Sequence, residues 1–104
     1  MNRLVIQLPI GADTDFDWLL HVEETLTRAF GLDDQADVDG HDMGEGRFNI
    51  LVRASGPFDA VMARIRTLLQ GLGALESARV ARFDAATETY QLVHPASYEG
   101  EFQL

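Results

Sequence analysis

The sequence predicts an α+β fold in which two helices cover one face of an antiparallel sheet. Two observations point there. Short segments of period-two hydrophobicity alternate with two longer segments of helical period. Their order along the chain is strand, helix, strand, strand, helix, strand, with one further strand after it. A third observation bounds the size. A chain of 104 residues with 46% hydrophobic content is one globular domain. Such a chain needs neither metal nor disulfide to fold. The α+β domain is expected over residues 1–95, with a short acidic tail over 96–104 that carries Tyr98 and Phe102.

In the first strand, Leu4, Ile6 and Leu8 alternate with Arg3, Val5 and Gln7. Pro9 ends it, because proline donates nothing to the ladder. Thr14 with Asp17 three residues on resembles a capping box, Asp standing in place of Glu. Asp15 and Asp17 sit where the helix dipole favours negative charge. Leu19, Val22, Leu26, Ala29 and Phe30 then recur at helical spacing, which predicts a helix over 15–30 closed by Gly31. Trp18 lies at the edge of that stripe, a rim position.

Residues 35–39 alternate weakly and form the poorest strand. Phe48, Ile50 and Val52 alternate cleanly with Asn49, Leu51 and Arg53. Glycines 40, 44 and 46 lie between them, and predict a hairpin with a longer loop or a bulge. Pro57 opens the second helix at the first helical position, where its missing N–H costs nothing. Phe58, Val61, Ile65, Leu68, Leu69 and Leu72 make its stripe, and Gly71 and Gly73 stop it. Residues 78–83 and 89–93 form a second hairpin, ended by His94-Pro95.

Two strand–helix–strand halves in this order make a ferredoxin-like βαββαβ sandwich, here with an additional C-terminal strand. Right-handed crossovers place both helices on one face of the sheet. Leu4, Ile6, Leu8, Phe48, Ile50, Val52 and Val80 then face the helices. Val5, Gln7, Asn49, Leu51 and Arg53 point the other way and form the candidate binding surface. A mixed patch of this kind is closed by a homodimer, a ligand or another protein, or else by the extra strand or the tail.

Seventeen acidic residues oppose eight basic ones, for a net charge of −9. All eight basic residues are arginine, which excludes a lysine Schiff base or lysine general base. Cysteine is absent, which excludes a disulfide framework, a thiolate nucleophile and a zinc–sulfur site. The acidity disfavours nucleic acid and anionic membrane, both of which want clustered cations. It suits solubility or a basic partner. The first nine residues read as a strand and not a signal peptide. No run reaches the ~18 apolar residues of a spanning helix. The expected location is the cytoplasm.

Asp37, Asp39, His41, Asp42 and Glu45 are the one cluster with ligand-like chemistry. The calcium-loop template fails on it: Asp42 stands where glycine is needed and Phe48 where the bidentate glutamate belongs. The plainer reading is a solvated turn, with no metal and no cofactor. The three glycines precede a strand and no lysine follows, so they form no phosphate loop. Were the chain an enzyme, His41 with Asp39 or Asp42 would be its acid–base pair. His21 and His94 have no orienting partner at ligand spacing and read as structural.

The stretch Val38-Asp39-Gly40-His41-Asp42-Met43-Gly44-Glu45-Gly46, followed by Phe48-Asn49-Ile50 and Pro57-Phe58, resembles a pattern in small acidic bacterial proteins of unassigned function. Those proteins resemble ferredoxin-like domains, and some are of the immunity type paired with secreted toxins. The resemblance covers residues 36–58. It implies a binding role over an enzymatic one and carries over no catalytic residue. The expected function is a non-catalytic protein-binding module, such as an immunity-type inhibitor of a basic toxin. A small-ligand-sensing regulatory domain acting as a dimer and a small enzyme built on His41 are the alternatives.

Overall fold

The computed structural model describes residues 2–11, 15–32 and 35–95. The expected tail, 96–104, lies outside them. Along the chain run β1 (Asn2–Pro9), α1 (Phe16–Gly31), β2 (Ala36–Gly44), β3 (Arg47–Ala54), α2 (Phe58–Gly71), β4 (Arg79–Asp84) and β5 (Thr89–His94). The strands make one antiparallel sheet in the order β2-β3-β1-β4-β5. Two helices pack on it, an α+β arrangement compatible with a ferredoxin-like sandwich. Neither helix is long and apolar enough to cross a membrane.

The helix ends follow local chemistry. Asp15 is the N-cap of α1, and its carboxylate accepts the Asp17 N–H at 2.7 Å. Thr14, the expected capping residue, lies outside the described residues. Gly31 is the last helical residue and not the cap. Leu32 closes the helix in a right-handed conformation, its N–H donating to the Ala29 carbonyl at 3.3 Å. The end of α2 is a Schellman motif. Gly73 takes φ +72, its N–H donates to the Gln70 carbonyl at 3.1 Å, and Ala74 N–H donates to Leu69 at 2.8 Å.

The β2–β3 connection is tighter than the sequence suggests. Gly44 pairs Arg47, so the loop is two residues, Glu45 and Gly46, at φ 52 and 75. Two positive φ values make a type I′ turn, whose twist matches that of the strands it joins. The irregularity sits earlier. Gly40, at φ 101, forms a bulge where the register shifts between Val38 and His41. β2 therefore continues through most of the polar stretch that reads as a turn.

The core joins Leu19, Val22, Leu26 and Phe30 of α1 with Val61, Met62, Ile65 and Leu69 of α2. Both stripes rest on Leu4, Ile6, Leu8, Phe48, Ile50, Val52 and Val80. Arg64 ties the helices together by donating to the Ala29 carbonyl at 3.1 Å, which satisfies a carbonyl in the last turn of α1. Leu68, within the expected stripe, is only half-buried; Ile65 and Leu69 take the centre.

Candidate functional site

The register of β1 against β3 brings the five candidate surface residues together. Val5 lies opposite Leu51, Gln7 opposite Asn49, and Arg3 opposite Arg53. Gln7 donates from Nε2 to Asn49 Oδ1 at 3.0 Å. Yet Val5, Gln7 and Asn49 are only 1%, 4% and 1% exposed. Leu51 is half-buried, and Arg53 alone of the five is exposed, 3.6 Å from Asp39. On β4 and β5 the same face carries Ala81, Phe83 and Tyr90, the two rings 5.3 Å apart. The Arg3 guanidinium lies 4.3 Å from the Phe83 ring centre, a cation–π contact. Pairing also sets Arg47 and Arg79 on this face, so it holds half of the chain's eight arginines. A cavity of about 580 Å³ opens at its end, lined by Gln7, Pro9, Arg47, Arg79 and Pro95 among others.

The bulge at Gly40 divides the acidic–histidine cluster. One extra residue in a strand turns every later side chain to the opposite face. Asp39 thus meets Arg53 on one side of the sheet, while His41 sits opposite Ile50 on the helix side. Asp42 follows on the other face again, opposite Asn49. His41 has a different carboxylate for a partner. Its Nδ1–H donates to Glu23 of α1, with both carboxylate oxygens at 3.0 Å. Its ring stacks on Phe48 with centroids 4.7 Å apart. Among the described residues no three His, Asp or Glu side chains come together as a metal-ligand set.

His41 belongs to a patch the sequence does not announce. Phe48 is buried, and Phe16 meets it edge-on at 6.1 Å from the first turn of α1. Met43 pairs Phe48 across the ladder, and Ile10 N–H donates to the Gly46 carbonyl at 2.7 Å. Ile10, Phe16 and Met43 stay 36%, 44% and 49% exposed. Asp17, next to Phe16, and Glu45, in the hairpin turn, are exposed too, while Asp42 points to the far face although it is next to Met43. The result is an apolar patch with an acidic rim, at the end of the molecule where α1 begins and the β2–β3 hairpin turns. Phe16 stands at the first position of α1, one turn before the stripe residue Leu19, and Met43 lies within a polar run. Each is an apolar residue at the margin of its pattern, and that is the signal sequence reading passes over.

His21 is exposed on α1, and His94 reaches the Leu75 carbonyl at 3.3 Å, a contact internal to the fold. No protein-family model matches this chain, and no curated protein or solved structure matches it.

Proposed function

We propose that this protein is a non-catalytic protein-binding module on a ferredoxin-like sandwich with an appended strand. Its partner is a basic protein, which it meets through Ile10, Phe16 and Met43 and the acidic rim around them. The single observation behind this reading is that patch: three large hydrophobic side chains exposed at one end of a chain of charge −9, with the exposed carboxylates of Asp17 and Glu45 at the same end. Exposed apolar area of this kind marks interaction sites. Acidic neighbours steer a cationic partner onto it and repel an anionic one. An immunity-type inhibitor of a basic toxin is the concrete form.

The experiment isolates the bound partner from the native cell and titrates it in purified form. Binding should weaken as salt rises, because rim charges are screened. Phe16→Glu combined with Met43→Glu should lower affinity by roughly tenfold or more while far-ultraviolet dichroism stays that of the wild type. An acidic partner, or unaltered affinity in the double variant, would sink the proposal.

The His41–Glu23 pair gives the enzyme reading one supporting observation, since a carboxylate orienting an imidazole is the arrangement of a general base. Against it, the pair lies on the helix side of the sheet, away from the large cavity. Turnover of any substrate class lost in His41→Ala would revive it.

A further inference from the structure

β1 runs antiparallel to both of its neighbours, so the first residues of β3 and β4 lie beside its last ones. Each of those strands begins with an arginine. Arg47 lies opposite Pro9 and Arg79 opposite Gln7, on the face away from the helices. Each arginine also follows a glutamate closely in the chain, Glu45 in the β2–β3 turn and Glu76 just before β4. All four residues line the cavity of about 580 Å³ at this end of the sheet. Sites for small molecules run to about 300–1,000 Å³, so the cavity is of ligand size.

Its chemistry is graded from floor to mouth. Gln7, on the sheet, is 4% exposed, and its amide is held by the bond to Asn49. Arg47 and Arg79 are half-buried, whereas Glu45 and Glu76 are exposed. Positive charge therefore lies deeper than negative charge. Pro9, Ala78 and Pro95 add hydrocarbon to the wall. A guanidinium presents five N–H donors in a planar fork, which matches the two oxygens of a carboxylate. Five donors let it keep a contact within the fold and still grip a ligand. The exposed glutamates repel highly charged anions at the entrance. Among the described lining residues two arginines face two glutamates, so a ligand of low net charge suits the cavity and a polyphosphate does not.

We propose that this cavity binds a small organic monocarboxylate. The carboxylate lies between Arg47 and Arg79, and its hydrocarbon part rests against Pro9, Ala78 and Pro95. The inference stands on the arginines and not on the patch around Phe16, so either survives the failure of the other.

Titration of the isotope-labelled full chain with sodium isocaproate, followed by nuclear magnetic resonance, tests it. The Nε–H signals of Arg47 and Arg79 should move and saturate. Those of Arg28 and Arg66, exposed on the two helices, should stay in place. Sodium chloride at equal ionic strength should move none of the four. Arg79→Gln should weaken affinity by about tenfold or more, and Arg47→Lys, which keeps the charge but loses the fork, should weaken it too. Far-ultraviolet dichroism verifies that both variants keep the wild-type fold. Leucine in place of isocaproate separates an amino-acid source from a simple acid, and saturation by either supports the site. Shifts that stay linear and are shared with Arg28 and Arg66 would overturn it. So would unaltered affinity in Arg79→Gln, or tighter binding of inorganic phosphate than of either acid.

Discussion

On the helix side of β1, Leu4, Ile6 and Leu8 meet hydrocarbon from α1 and α2. On the other side of the same strand, Val5 sits beside Gln7, whose amide is tied to Asn49. Both faces are buried, but they are built differently. The helix face is filled by volume, which tolerates exchange among aliphatic side chains of similar size. The far face holds a directional contact that fails as a whole if either partner leaves. Equal dryness on two faces therefore predicts unequal responses to substitution.

The largest effect belongs to the helix face. Leu69→Ala should cost about 2–5 kcal/mol in urea denaturation, because it opens a cavity at the centre of the α2 stripe. Leu68→Ala, at a half-buried position, should cost visibly less, and equal losses would mean that the stripe is centred elsewhere. Next comes the far face. Gln7→Ala leaves the Asn49 carbonyl oxygen buried without that donor, at roughly 1–3 kcal/mol. Replacing both residues with leucine should recover most of the loss. Additive single and double losses in that cycle would show that the amide pair does not act as a unit.

A smaller effect tests how β2 is divided between the faces. Gly40→Ala places a side chain at φ 101, with no steric neighbour within 4 Å, so its cost is purely backbone, about 1–2 kcal/mol. If the bulge is expelled instead, His41 rotates to the face of Asp39, and its ring-current shift from Phe48 disappears. Smallest is His41→Ala itself. The ring is partly exposed, so its contact with Glu23 should contribute below about 1 kcal/mol to thermal stability.

The element order and both helical stripes are legible in the sequence because alternation and helical periodicity are local properties. Gly73 is legible for the same reason. The extent of β2 is not. Its residues are polar because they line the outside of a sheet, and a polar strand rich in aspartate and glycine has the composition of a turn. The burial of Gln7 and Asn49 is also illegible, since each looks solvent-facing until register sets one against the other. The pairing of His41 with Glu23 depends on a one-residue bulge, and the residues that read as its partners, Asp39 and Asp42, end up on the far face. The patch of Ile10, Phe16 and Met43 draws on three separate segments, so no window of sequence contains it.

The bulge in β2 has one more consequence, for crowding. β2 forms one margin of the sheet, so its outward N–H and C=O groups could template a strand from another molecule. Gly40 interrupts that row near its middle, and Asp37, Asp39 and Asp42 set negative charge along it. An incoming copy would find its hydrogen-bond ladder broken and its own aspartates stacked against these. The same glycine that turns His41 toward α1 thus also leaves this margin of the sheet a poor template for strand addition.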